Sequence, residues 1–181
     1  MTYIPPLEFW GLGHKLFKTT PDTFPVTFVP GDVFDTEHLS IVAPFMANSP
    51  PATSVPDLST LTSLNPLHGH VSAIYISRFF HLFPKDAQVR LARALAGLLS
   101  PKPGSMIFGI QLGLPESGEL ENPLSPTPRR LFCHNSRSWS ELWDGEVFPK
   151  GTVKVTAFVT EGSKDAETSS LHRLVWSVTR N

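Results

Sequence analysis

A chain of 181 residues, 40% hydrophobic and 17% charged, has the apolar content for one folded domain with a real core and too little charge for a disordered one. The formal net charge is -1 and no basic run exceeds two residues, which argues against a dedicated nucleic-acid surface. One cysteine, Cys133, rules out an internal disulfide and suits a reducing, cytoplasmic setting. No charged segment followed by an apolar core opens the chain, so no signal peptide is expected, and no apolar run has the length of a membrane span.

In chain order, Leu7, Trp10, Leu12, Leu16 and Phe17 can line one side of a short helix over about 7–18, although Gly11 and Gly13 each cost about 1 kcal/mol there. Residues 26–29 (VTFV) predict a short strand, ended by Pro30-Gly31-Asp32. Residues 36–43 read as a turn of helix. Proline is the outlier at 18 residues, and much of it sits in loops. The stretch 44–70, rich in Pro, Ser and Thr, predicts a long loop, either a surface insert or a lid over a site.

The stretch 71–113 organises the chain. Residues 71–77 (VSAIYIS) are β-branched and aromatic, as a buried strand requires. Pro84 fits the first turn of a helix, and Asp86 suits the positive end of its dipole. Leu91, Ala92, Leu95, Leu98 and Leu99 recur at helical spacing opposite Arg90 and Arg93, until Pro101, Pro103 and Gly104 stop the pattern. Residues 105–112 are a second apolar strand. Strand, helix and strand at these lengths predict a βαβ crossover, with parallel neighbouring strands buried on both faces.

A Pro-rich loop is expected over 114–130, then a helix over 136–144 capped by Ser136 or Ser138. Residues 152–160 alternate with period two. Residues 161–170 are polar and predict a turn, and 171–179 a further strand, so the chain ends in an antiparallel hairpin. No internal repeat is visible.

The stretches LEFWGLGHKLF, FVPGDVFD, VSAIYISRFFHLF, LLSPKPGSMIFG, HNSRSWSELWD and TVKV together resemble fungal class I-like S-adenosylmethionine-dependent methyltransferases of secondary metabolism, most of all the meroterpenoid branch. The resemblance covers about residues 7–178. It implies an α/β fold, an incomplete Rossmann-like class I sheet with a C-terminal antiparallel hairpin, as a single domain over 1–181. It also implies S-adenosylmethionine as cofactor and methyl transfer to an oxygen, less often a carbon, of a small molecule.

The family begins with a strand, a Gly-rich turn that cradles the cofactor, and a strand ending in an acidic residue. None of these is present here, and Gly11 and Gly13 follow no strand. In the family's strand order, 3-2-1-4-5-7-6, the missing strands lie between VTFV and VSAIYIS. Their loss takes half of the ligand crevice and bares the edge of the strand at 71–77. Either VTFV pairs with that edge, or a homo-oligomer or partner chain covers it, or the chain is a fragment of a longer product.

By resemblance, Asp32 and Val33 contact the cofactor's adenine; the plainer reading of Asp32 is a turn cap. Ser77 and Arg78 end the strand at the carboxyl edge, where such sheets bind ligands, or are simply polar strand-end residues. His81 is the candidate general base, against a helix-start histidine bonded to the backbone. His134 resembles a position at the substrate mouth, against a capping residue. Phe79, Phe80 and Phe83 read first as core, with Phe80 kept as a substrate-side candidate.

His68, His70, Cys133 and His134 lack the spacing of a zinc site. Cys133 reads as a small buried hydrophobe. The implied function is O-methylation of a small-molecule acceptor. The alternatives are a non-catalytic assembly subunit, or a pocket that handles a small molecule without the cofactor.

Overall fold

The computed structural model describes residues 6–121, 130–161 and 172–181. They divide into two units, one running up to Ser40 and including Thr53–Leu67, the other comprising Ile41–Ala52 and His68–Asn181. The predicted turn at 161–170 lies almost wholly outside the described residues.

In the first unit, helix α1 spans Pro6–Phe17, so the apolar spacing outweighs its two glycines. Lys18 ends it in the left-handed region at φ 53°. The indole of Trp10 stacks on Phe28 with ring centroids 4.8 Å apart. His14 Nδ1 lies 2.8 Å from Thr19 Oγ1. Leu7, Leu12, Leu16 and Phe17 remain exposed.

The VTFV stretch is not a strand. A β-branched run needs a ladder partner, and this one has none among the described residues: Phe28 is taken up by Trp10, and the Val26 N–H donates to Phe24 O. Residues 36–43 make turns but no helix. There the Asp35 carbonyl accepts from His38 and Leu39 N–H, and the Asn65 side chain accepts from Ser40 N–H at 2.7 Å. The long loop carries two short 3-10 turns, Leu58–Thr60 and Asn65–Leu67.

The second unit holds strand β1 (Ala73–Tyr75), helix α2 (Lys85–Leu98), strands β2 (Met106–Gly113), β3 (Gly118–Glu121) and β4 (Arg130–Cys133), helix α3 (Ser136–Trp143), and strands β5 (Val153–Thr160) and β6 (His172–Arg180). Its main sheet has the order β1-β2-β6-β5. β1 and β2 are parallel, with Tyr75 opposite Phe108. β6 runs antiparallel to both β2 and β5. The predicted crossover and C-terminal hairpin are therefore both present, in the order the resemblance implies for the family's last four strands.

Gly109 permits the close approach of β1 and β2, because a Cβ there would collide with the Ile76 carbonyl. The expected loop at 114–130 contains β3, which pairs antiparallel with β4 at its end as a separate sheet.

Helix α2 starts one residue later than predicted, with Pro84 in the N-cap position. Leu91, Ala92, Leu95 and Leu98 are buried as their spacing requires, and a fully buried leucine contributes about 1.5–3 kcal/mol. Gly97 is small for a reason, since a Cβ would press on Val42. Helix α3 is capped by Asn135, with Ser138 completing a reciprocal capping box. It seats Trp139 and Trp143 against Trp176 of β6, with centroids 4.8 and 6.1 Å away.

Burial alternates along β2, with Ile107, Gly109, Gln111 and Gly113 inside and their neighbours half-buried. The expectation that the parallel strands are buried on both faces is therefore corrected. β1 is largely exposed and Tyr75 is 66% exposed. Within the second unit, one face of the sheet is packed and the other is open.

Candidate active site at the carboxyl edge of the sheet

β1 stops because its last backbone groups turn onto β2. The Arg78 N–H donates to Ile110 O at 2.7 Å, and the Ser77 hydroxyl donates to the same carbonyl at 3.2 Å. Arg78 adopts φ 53°. For a side chain other than glycine that conformation costs on the order of 1–3 kcal/mol, and it persists only where the surroundings enforce it. Arg78 itself is exposed.

The chain then enters a 3-10 turn, Phe80–Leu82, which places His81 inside. His81 is 7% exposed. Burial holds its pKa below the usual histidine value, and the Arg78 cation adds to the effect. Its Nδ1 has no hydrogen-bond partner among the described residues. His81 is thus a buried imidazole, biased to the neutral form, behind an arginine at the end of β1.

A second histidine arrives from β4. His134 bridges to Gly113 at the end of β2, and its carbonyl accepts from Leu114 N–H. Its Nδ1 lies 2.9 Å from Ser138 Oγ. Burial, with a smaller push from Lys85, drives its pKa down to about 4, so the ring is neutral near pH 7. Nε2 is buried and has no partner among the described residues. Phe132 and Trp139 stand edge-on to the ring at 5.0 and 5.2 Å.

Three supporting residues were not candidates for the site in the sequence. Ser138 was read only as a helix cap, yet it also meets His134. Gln88, buried in α2, donates to the carbonyls of Phe83 and Phe132, both at 2.9 Å, and so ties the helix to β4. Gln111, buried on the packed side of β2, keeps an Nε2 with no partner among the described residues. A glutamine in an apolar run is the one signal that could have flagged it.

Asp32 and Val33 belong to the first unit, where the Asp32 carboxylate accepts from Phe34 N–H at 2.9 Å and closes a turn. Phe80 is 1% exposed and sits edge-on to Trp139, Trp143 and Trp176, so its ring is engaged in packing. Cys133 is fully buried, and burial pushes its thiol up to about 11. Among the described residues no cluster of three or more His, Cys, Asp or Glu can hold a metal ion, and no helix is long and apolar enough to cross a membrane.

The described residues do not by themselves fit the cofactor that the resemblance implies. A Gly-rich cradle needs glycines that let backbone approach a ligand, whereas Gly11 and Gly13 lie inside α1 with nothing within 4 Å of a Cβ on either. Gly109 of the main sheet is consumed by strand contact with Ile76.

No protein-family model matches the chain. It is similar to the O-methyltransferase phiE of a fungal species, 29% identical over 80% of this chain and 39% of that protein. It is similar also to the O-methyltransferase atr3 of Stereocaulon alpinum, 27% identical over 86% of the chain and 38% of the relative. The methyltransferase adrK of Penicillium rubens is 30% identical over 76% of the chain and 40% of its own length. The chain therefore spans about two fifths of the length of these curated relatives. Over most of its residues the chain is similar to these fungal methyltransferases.

Proposed function

We propose that the chain serves the S-adenosylmethionine-dependent O-methylation of a small-molecule secondary metabolite as the acceptor-side part of a methyltransferase, and that residues beyond those described complete the cofactor site. The observation that supports this reading is the parallel β1-β2 pair that carries Ser77, Arg78 and His81 at its carboxyl edge, the end at which open α/β sheets receive ligands.

In this reading the strand-end residues Ser77 and Arg78 border the cofactor. His81, biased to the neutral imidazole, takes the proton from the acceptor hydroxyl. His134, also neutral and held through Nδ1 by Ser138, orients that acceptor, and Phe80 backs the turn that carries His81. The rest of the catalytic gain is positioning.

A chimera tests the proposal. These 181 residues replace the matched stretch of the phiE methyltransferase, and S-adenosylhomocysteine binding is measured by calorimetry. Micromolar binding to the chimera is expected, together with transfer of a radiolabelled methyl group to that protein's acceptor that falls in His81→Ala. A chimera that folds but binds no S-adenosylhomocysteine would refute the proposal.

A further inference from the structure

Buried polar side-chain atoms are almost always hydrogen-bonded, so those without a protein partner mark a place where something else is held. In the second unit, His134 Nε2, Gln111 Nε2 and Trp139 Nε1 have no partner among the described residues. The three residues are 2%, 3% and 0% exposed. Gln111 stands on the packed face of β2 between Gly109 and Gly113. The Trp176 ring lies over Gly109, 3.4 Å from where a Cβ would be, and Gly113 bridges to His134. The Trp139 ring meets both neighbours, with centroids 4.8 Å from Trp176 and 5.2 Å from His134. Gln111 therefore projects from the strand between the two points that Trp139 spans.

Ser138 decides which ring nitrogen of His134 carries the proton. Its Oγ accepts from Asn135 N–H at 3.1 Å, lies 2.9 Å from His134 Nδ1 and lies 3.3 Å from Asn135 O, to which it can donate. A hydroxyl has one proton and two lone pairs. With that proton on Asn135 O, the lone pairs accept from Asn135 N–H and from His134 Nδ1–H, and every one of these contacts is a hydrogen bond. With that proton on Nδ1, the contact to Asn135 O is lost. The first arrangement satisfies more of the geometry. It puts the imidazole proton on Nδ1 and leaves Nε2 as a lone pair.

Gln111 Nε2 and Trp139 Nε1 can only donate. One acceptor beside two donors complements a hydroxyl group, which gives one hydrogen and takes two. A carboxylate or a ketone has no proton for Nε2, and an ammonium has no lone pair for the N–H groups.

We propose that Ser138 is a positioning residue that holds His134 in the Nδ1–H form, and that His134, Gln111 and Trp139 bind a hydroxyl of the acceptor other than the one that is methylated. The proposal rests on the acceptor-side reading above and names the class of its substrate, a small molecule with two hydroxyl groups. His134 here orients the acceptor by accepting a hydrogen bond, while the reacting hydroxyl gives its proton to His81.

The test uses the 181-residue chain with isotope-labelled histidine, long-range proton–nitrogen correlation NMR near pH 7, and phenol and toluene as probes of nearly equal shape. His134 should show a protonated Nδ1 and a bare Nε2. In Ser138→Ala the Nε2–H form should grow at its expense, and Ser138→Thr, which keeps the hydroxyl, should restore the parent pattern. Phenol should shift the Nε2 resonance and bind about tenfold more tightly than toluene, although an apolar cavity prefers toluene. Gln111→Leu, an apolar side chain of similar size, should melt like the parent, keep its tautomer and lose that preference. An Nε2–H tautomer in the parent would overturn the proposal, as would a tautomer indifferent to Ser138→Ala or toluene bound as well as phenol. Phenol that leaves the Nε2 resonance unmoved would assign the site to an internal water and overturn it too. None of these readouts needs the cofactor. A chain that passes them while the chimera binds no S-adenosylhomocysteine keeps the hydroxyl site and loses the methylation reading; a working chimera beside a chain that fails them does the reverse.

Discussion

His134 makes the stability of the fold depend on pH in a way one substitution can isolate. The ring is 2% exposed, and its pKa is driven from 6.5 to about 4. In the unfolded chain it protonates as pH falls through 6.5, whereas in the folded chain it stays neutral until about pH 4. Between those values the unfolded state binds the extra proton. Folding stability contributed by this residue is therefore complete above pH 6.5, falls as the solution is acidified, and is lost by about pH 4.

The slope is about 1.4 kcal/mol per pH unit, and the whole window is worth about 3 kcal/mol as an order of magnitude. His81 pulls in the same direction, so the parent protein should show the sum of the two. Urea unfolding followed by tryptophan fluorescence at pH 7, 6 and 5 gives the measurement, with His134→Gln as the comparison. The variant should be less stable than the parent at pH 7 yet lose about 1.4 kcal/mol less per unit of acidification between pH 6 and 5. Identical pH slopes in the two proteins would refute the reasoning, as would an NMR titration placing His134 near its ordinary pKa.

Trp139 is fully buried and meets Phe80, His134, Trp143 and Trp176, so Trp139→Ala should cost about 3–5 kcal/mol in urea unfolding. Gly109→Ala would drive a methyl into the Ile76 carbonyl; hydrogen exchange should then show loss of protection at Ile76 and Arg78, whose N–H groups bond to β2, while the β5-β6 amides keep theirs. Cys133, buried with its thiol raised to about 11, should resist iodoacetamide in the native protein at pH 8 and react when urea unfolds it.

The second unit was far more legible than the first. The βαβ segment and the terminal hairpin carry their own periodicities, 3.6 in α2 and two in β5, and those patterns are satisfied locally or by the next element in the chain. VTFV has strand composition, but a strand exists only with a ladder partner, and composition does not supply one. β3 was read as loop, and β4 beyond Arg130 was assigned no element, because four-residue strands such as GELE and RLFC carry too few residues to show an alternation. The uncovered face of β2 could not be read either, because a continuous apolar run looks the same whether one side or both are packed.

In the site, His81 and His134 stood out because histidine is rare in apolar surroundings and the resemblance singled them out. Their settings were not legible. Ser138 was visible as a capping residue, but its contact with His134 depends on how β4 enters α3. The left-handed backbone of Arg78 follows from its N–H turning onto Ile110, a tertiary contact with no local signature. Asp32 was read two ways, and the structure shows its carboxylate closing a turn.

The most direct test of the account is calorimetric titration of the folded 181-residue chain with S-adenosylmethionine and S-adenosylhomocysteine. If these residues form the acceptor side of a methyltransferase without a complete cofactor cradle, no binding heat appears even at millimolar ligand. Micromolar binding, weakened by Asp32→Ala, would contradict it and show that the chain holds the cofactor by itself.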